Sequence, residues 1–338
     1  MALALKLPIA TGRHGGPDCL SIVVPLHDEA PVLEAFHRRL VQTLDALPLI
    51  VEIVYVDDGS SDASPGILRR LRQGDTRVAV LELSRNFGKE AAMTAGLDHA
   101  SGDAVVIIDA DLQDPPELIA EMVTAWREGF DVVTARRSCR QGETGLKKLC
   151  SKLFYRILNA VSSVPIAVDV GDFRLMSRRA VDALSQLPER NRYMKGLYAW
   201  VGFSRKQLDY VREPRHSGHT HWGFWKLMGL ALDGLTSFTW SPLRLATGAG
   251  AVVAGAALAM GVAIVVRTLI QGDPVPGYPS LMCVVLFLGG VQLLAIGILG
   301  EYVGRLFVEA KQRPIYLLKN VQPAAGLAHA LRSREAGR

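Results

Sequence analysis

The sequence predicts an α/β domain built on a mainly parallel sheet, followed by two membrane-spanning helices. Three observations predict it. Strand and helix signals alternate from residue 19 to residue 135, the pattern of a doubly wound sheet with right-handed crossovers. After residue 240 two runs, Leu245–Val266 and Leu281–Gly300, carry no charged side chain. At about 20 residues each, they are long enough to cross ~30 Å of hydrocarbon as helices. Acidic residues gather where three of the strands end, the edge at which parallel sheets collect ligands.

The elements follow in order. β-rich runs occupy Leu20–Val24, Val51–Val56, Val78–Leu83, Ala104–Ile108 and Asp131–Thr134. Between the first two, Leu33, Phe36, Leu40, Leu44 and Leu47 share one helical face, and Pro31 suits a first turn. Pro65–Arg72 reads as a second helix with Ser64 as its N-cap. Lys89–Ala100 and Pro116–Arg127 complete the alternation, and Val170–Val211 completes the domain. Leu146, Leu149, Leu153, Phe154, Ile157 and Val161 then line one face of a helix whose other side carries Lys147, Lys148, Lys152 and Arg156. Such a basic amphipathic helix serves either a membrane surface or the domain's own core. Trp222, Phe224, Trp225, Phe238 and Trp240 precede the first apolar run, as aromatics of a headgroup belt do.

The resulting partition is a flexible tail at 1–18, a catalytic domain at 19–221, a juxtamembrane segment at 222–240, a two-helix membrane region at 241–304 and a cytoplasmic tail at 305–338.

Composition sets the class. The 338 residues are 49% hydrophobic and 21% charged, which excludes a disordered chain. The mean hydropathy of +0.19 is high for a water-soluble enzyme. Cys19, Cys139, Cys150 and Cys283 are scattered without a Cys-x-x-Cys pair, so neither zinc nor a disulfide framework is expected. The net charge of +5 fits an anionic membrane surface better than nucleic acid, given the two apolar runs. Arg244 precedes the first run, and Arg305, Lys311, Arg313 and Lys319 follow the second. Positive-inside counting therefore places both termini and the domain in the cytoplasm, with the runs in the inner membrane.

The strand ends carry the chemistry. The first ends in Pro25-Leu26-His27-Asp28-Glu29, the second in Asp57-Asp58-Gly59-Ser60, the fourth in Asp109-Ala110-Asp111-Leu112-Gln113-Asp114. Asp109-x-Asp111 sets two hard oxygen ligands near one point, a pair suited to Mg²⁺ or Mn²⁺ and through it to phosphate oxygens. A diphosphate leaving group needs such a cation as charge builds on it. A carboxylate in Asp57-Asp58-Gly59-Ser60 has two readings: acceptor for a nucleobase N–H, or an Asx or N-cap turn feeding the next helix.

The ordered set Val24-Pro25…Glu29, Val56-Asp57-Asp58-Gly59-Ser60-Ser61-Asp62, Ser84-Arg85-Asn86-Phe87-Gly88-Lys89, Asp109-Ala110-Asp111-Leu112-Gln113-Asp114, Gly171-Asp172-Phe173-Arg174-Leu175 and Leu299-Gly300-Glu301-Tyr302 resembles the family-2 glycosyltransferases. Within them it is most similar to the polyprenyl-phosphate sugar transferases, over roughly residues 19–315. The resemblance implies a GT-A fold. It implies that Pro25, His27, Glu29, Val56 and Asp58 hold the base and ribose, that Asp109, Ala110, Asp111 and Gln113 form the metal and diphosphate site, and that Arg136 binds phosphate. Arg215 and His221 match a later basic pair over the donor phosphates. Two departures stand out: His27 replaces a frequent aromatic, and His221 a usual Lys.

The implied reaction moves a sugar, with UDP-glucose the favoured donor, onto polyprenyl phosphate such as undecaprenyl phosphate. UDP-galactose, UDP-N-acetylglucosamine, UDP-aminoarabinose and GDP-mannose are the alternatives, and the product serves the cell envelope. Because the acceptor is already an anion, positioning and charge stabilisation matter more than a strong base. A single inverting displacement is expected, with Asp172 as base or orienter, Asp169 in reserve, and Arg136, Arg140 and Arg215 neutralising phosphate. Gly248, Gly250, Gly255, Ala256 and Gly261 in the first run permit close helix contacts, and a homo-oligomer is expected. Two rival classes are a processive polysaccharide synthase, whose Gln-x-x-Arg-Trp motif is missing, and a non-catalytic scaffold or flippase partner, to which an intact Asp-x-Asp is foreign.

Overall fold

A computed structural model describes residues 18–137, residues 170–211 except 188, 191 and 193, an interrupted set of positions between 248 and 270, and residues 277–326. The described elements are β1 (Cys19–Leu26), α1 (Ala30–Asp45), β2 (Ile50–Asp57), α2 (Ser64–Gly74), β3 (Val78–Leu83), α3 (Lys89–His99), β4 (Ala104–Ile107), α4 (Leu118–Arg127), β5 (Val132–Arg137), β6 (Val170–Ser177), α5 (Arg178–Ser185), α6 (Met194–Trp200), β7 (Arg205–Tyr210), α7 (Tyr278–Ala310) and β8 (Leu318–Gln322). The segments Leu146–Val161 and Trp222–Trp240 lie outside the described residues.

One sheet runs β7-β5-β6-β4-β1-β2-β3-β8. β4, β1, β2 and β3 are mutually parallel, as the alternating pattern predicts. Every residue of β1 and β4 is buried, because helices cover both faces. Leu20, Ile22 and Val24 point to the layer that holds Phe36, Leu40 and Met122. Cys19 and Val23 point to the opposite layer, with Met93, Leu97, Val181 and Leu184. The period-2 alternation of a strand thus feeds two cores at once. Each such aliphatic side chain contributes about 1.5–3 kcal/mol on burial.

α1 buries Leu33, Phe36, Leu40 and Leu44, the predicted face. α3 is different: Ala91, Ala92, Met93, Thr94, Ala95, Gly96 and Leu97 are all buried. Its small residues let it lie close on β1 and β2. A Cβ on Gly96 would stand 2.2 Å from the Val23 Cγ1.

The structure corrects or sharpens three local expectations. Ser64 lies inside the first turn of α2, and the cap is Ala63. Asp62 does the capping chemistry, its Oδ1 accepting from the Ser64 N–H at 2.9 Å. The sheet is mainly parallel, as expected, and the structure adds that β6 runs antiparallel to both β4 and β5. Finally, residues 305–338 are not simply a tail. α7 continues to Ala310, and β8 pairs antiparallel with the outer edge of β3. An exposed parallel edge is open to wrong pairing, and the returning chain covers it.

Of the two apolar runs, the second forms α7, 33 residues and about 50 Å long at 1.5 Å per residue. Its stretch Phe287–Ala310 has a mean hydropathy of 1.5, and none of its described side chains is buried. It is the one helix among the described residues long and apolar enough to cross a membrane. The described positions of the first run, Gly248 and Gly250 among them, are helical.

Candidate active site

The carboxyl ends of β1, β2 and β4 meet in a cleft of about 480 Å³. Pro25, His27, Glu29, Asp58, Asn86, Gly88, Lys89, Asp109, Ala110 and Asp111 all line it. Register explains the convergence: Leu26 pairs with Asp57, and Val23 with Ile107. The three acidic turns must therefore emerge side by side.

Two turns are stitched together by their own side chains. The Asp57 Oδ1 accepts from the Ser60 N–H at 3.0 Å, closing the turn that follows β2. Asp28, at φ 55, accepts from the Ser61 N–H at 2.8 Å and the Asp62 N–H at 3.2 Å. The Ser60 Oγ accepts from the Asp28 N–H at 2.9 Å, and the His27 Nδ1 lies 3.0 Å from the Asp58 carbonyl oxygen. Gly59 has no substitute here. It sits at φ +67, and a Cβ would be 2.5 Å from the Arg85 carbonyl carbon.

That contact marks the third wall, the loop Ser84–Lys89. The buried Asp58 carboxylate accepts from the Phe87 N–H at 2.7 Å and the Gly88 N–H at 2.8 Å. Burial pushes its carboxyl above the usual range against those two bonds. Asp58 therefore holds the loop, with one lone pair on each oxygen already engaged. Val56 is fully buried in the core, so its side chain is a packing group.

The loop delivers Lys89. Its Nζ donates to the Asp109 Oδ2 at 2.7 Å and to the Asp172 Oδ2 at 2.7 Å. Asp172 arrives because β6 is antiparallel to β4: Arg174 pairs with Ile107, and two residues further the register sets Asp172 opposite Asp109. Burial alone raises the Asp172 carboxyl, but the Lys89 and Lys195 ammonium groups outweigh it and hold it at about 2. Asp109 moves the other way. Burial raises it, and the Asp172 and Asp111 charges add to that against Lys89. Asp111 is 7% exposed, and its Oδ1 accepts from the Gln113 N–H at 3.1 Å across Leu112, at φ 59.

The residues fit a divalent cation of a particular kind. Among the described residues no three His, Cys, Asp or Glu side chains converge into a cage. Asp109 and Asp111 instead offer two crowded carboxylates facing an open cleft. Mg²⁺ is usually held in that way, by one or two carboxylates, waters and substrate phosphates.

Other expected residues stand elsewhere. Arg136, the last residue but one of β5, makes a two-pronged pair with Asp209, Nε at 2.6 Å and Nη2 at 2.8 Å. Asp169, Arg140, Arg215 and His221 lie outside the described residues. Sequence reading gave no role to Lys89 or its neighbour Glu90. The available signal was a Gly-Lys pair opening a helix after the loop that follows a strand.

Comparison with known proteins matches this architecture. Residues 21–185 match the model of glycosyl transferase family 2. Residues 241–306 match the GtrB C-terminal hairpin. An uncharacterized glycosyltransferase of Synechocystis is 47% identical over 89% of this chain and 95% of its own. A bactoprenol glucosyl transferase of Shigella phage SfV is 46% identical over 89% of this chain and 98% of its own. The solved glucosyl-3-phosphoglycerate synthase of Mycobacterium tuberculosis aligns with 64% of this chain and 76% of its own, at 21% identity and a TM-score of 0.43. Spanned almost end to end by relatives at this identity, the chain belongs to glycosyl transferase family 2 and is a transferase enzyme with a GtrB-type C-terminal hairpin.

Proposed function

We propose that the enzyme transfers a sugar, glucose for preference, from a nucleoside diphosphate to a polyprenyl phosphate at the cytoplasmic face of the inner membrane. One observation carries this reading. The likeness to the phage bactoprenol glucosyl transferase covers the catalytic domain and the C-terminal hairpin together. A lipid-borne acceptor needs both, because its phosphate sits at the headgroups while its tail stays in hydrocarbon.

In this reading Pro25, His27, Glu29 and Asp58 take the base and ribose in the cleft, and Asp109, Asp111 and Gln113 hold Mg²⁺ or Mn²⁺ with the donor diphosphate. When bound, the cation supplies positive charge to the leaving diphosphate. An acceptor phosphate oxygen attacks the anomeric carbon as the bond from that carbon to the diphosphate oxygen breaks. The configuration inverts and the nucleoside diphosphate leaves. Asp172 orients and does not accept the proton: a carboxyl held near 2 is a poor base at neutral pH, and the acceptor is already an anion. Arg136, released from Asp209, and Arg140 and Arg215 are the candidate phosphate partners, with His221 as the second member of the basic pair that begins at Arg215.

The test is a donor screen with purified protein, undecaprenyl phosphate and Mg²⁺ or Mn²⁺, across UDP-glucose, UDP-galactose, UDP-N-acetylglucosamine, UDP-aminoarabinose and GDP-mannose. The expected result is one lipid-linked sugar, formed mainly from UDP-glucose, lost with chelator and reduced at least about 100-fold in Asp109→Asn. A single product from another donor would correct the sugar. No lipid product from any donor would refute the reading.

A further inference from the structure

Behind the Lys89–Asp172 pair lies a polar layer that the mechanism above does not use. Its centre is Glu90, partly buried in the first turn of α3. The Glu90 Oε2 accepts from the Met194 N–H, the first residue of α6, at 3.2 Å. The charged and titratable groups facing it come from three elements: Lys89 on α3, Asp172 and Arg174 on β6, and Lys195 and Tyr198 on α6. The Arg174 guanidinium is buried, 3.6 Å over the Tyr198 ring. It donates to the Gly171 carbonyl at 2.7 Å and the Asp172 carbonyl at 3.3 Å, fixing the backbone that carries Asp172. The Tyr198 hydroxyl in this layer is buried with no hydrogen-bond partner among the described residues.

We propose that Glu90 is a positioning residue for sugar transfer: from behind the site, its charge sets how firmly Lys89 holds Asp172 and Asp109 in their working arrangement. The proposal rests on the transferase reading above. The chain makes Glu90 the neighbour of Lys89 and anchors its carboxylate to α6, so it cannot swing away without breaking the bond to Met194. Protonated, it leaves the ammonium to Asp109 and Asp172. Ionised, it adds a further negative charge, which draws on Lys89 and repels Asp172. Burial and the Asp172 charge push its carboxyl up to about 7, against the Met194 N–H, Lys89 and Lys195. Asp172, held at about 2, stays ionised throughout, while Glu90, pushed up to about 7, changes its charge near neutrality.

The experiment uses full-length enzyme in phospholipid nanodiscs. kcat is followed from about pH 5.5 to about pH 8.5, with kcat and KM for the donor separated. Wild type is expected to change kcat at least about threefold around pH 7, with donor KM moving less than about twofold. Glu90→Gln keeps the acceptor for Met194 but removes the charge, and its kcat is expected to be flat there. Glu90→Asp is expected to keep the inflection at a lower kcat. Infrared difference spectra of the substrate-free protein between pH 6 and pH 8 provide a readout that needs no turnover. The carboxyl band lost on raising pH in wild type is expected to be missing in Glu90→Gln. An inflection that persists in Glu90→Gln would overturn the proposal. So would a folded Glu90→Gln that is inactive at every pH, which would make Glu90 part of the reaction itself. If Glu90→Gln does not fold, a wild-type spectrum with no such band overturns it alone. Failure of wild type to make any lipid product would count against the transferase reading, while the spectrum would still decide whether Glu90 titrates.

Discussion

Lys89 sets one ammonium against two carboxylates, and the balance between them defines the site. Its side chain is 44% exposed, while those of Asp109 and Asp172 are 23% and 15% exposed. The carboxylates are therefore the desolvated partners, and they lose most if the cation goes. Lys89→Met keeps the length and removes the charge. It is expected to lower stability at pH 7 by about 1–3 kcal/mol, the penalty for leaving buried polar groups unpaired, and to cut sugar transfer by at least about 100-fold. The pH dependence identifies the cause. Asp172 sits at about 2, below the ordinary carboxylate value, so it stabilises the fold above about pH 4 and that contribution disappears as pH falls towards 2. Acid unfolding of Lys89→Met, followed by circular dichroism, is expected to lose part of that acid sensitivity. Wild-type transfer rates in Lys89→Met would remove Lys89 from the mechanism.

At the scale of elements, position depends on how a segment packs as well as on what it is made of. α1 was legible because Leu33, Phe36, Leu40 and Leu44 repeat at the helical period. The strand-end acids were legible because parallel strands leave their carboxyl ends on one edge. β6 was not, because an antiparallel strand inserted between β4 and β5 carries no local signal of its direction. Asp172 could thus be picked out as chemistry but not placed against Asp109, 63 residues earlier in the chain by their numbering. β8 was hidden for a related reason: Leu318-Lys319-Asn320-Val321-Gln322 is mostly exposed and weakly patterned. Only tertiary pairing makes it a strand. The Leu317 carbonyl accepts from the Ser84 N–H at 2.8 Å, the first residue of the loop that carries Lys89. The Pro323 carbonyl accepts from Arg72, and the Thr76 carbonyl accepts from the Gly326 N–H. A chain ending at Lys311 is therefore expected to lose about 2 kcal/mol or more and to melt on the order of 4–8 °C lower. It should also bind donor more weakly, through a loosened Ser84–Lys89 loop. Calorimetry with and without nucleotide checks both, and an unchanged melting temperature would show that β8 is ornamental to the domain.

For the whole molecule, the same strand constrains the membrane topology. β3 lies before the apolar runs and β8 after them, yet they belong to one sheet. Residues on both sides of the runs must then be on the same side of the bilayer, so the chain between them crosses an even number of times. α7 presents Leu281, Phe287, Leu293, Ile296 and Leu299 at 55% exposure or more, a surface that water disfavours and lipid accepts. If α7 is one crossing, the run Leu245–Val266 is expected to supply the other. Positive-inside counting over the Lys and Arg residues flanking the pair predicts that the shared side is the cytoplasmic one. The domain and the end of α7 are joined closely there: the Glu309 Oε1 accepts from the Arg190 N–H at 2.8 Å, and the Arg313 carbonyl accepts from the Arg190 Nε at 2.8 Å. In a chain whose four cysteines are replaced by serine, Asp273→Cys is expected to react with an impermeant maleimide in intact spheroplasts. Ser61→Cys is expected to react only after permeabilisation. Protection of Cys at 273 alongside labelling at 61 would invert the orientation. Equal protection of both until permeabilisation would mean that the first run does not cross, and α7 would then have to lie along or re-enter the bilayer, since the shared sheet forbids a single pass.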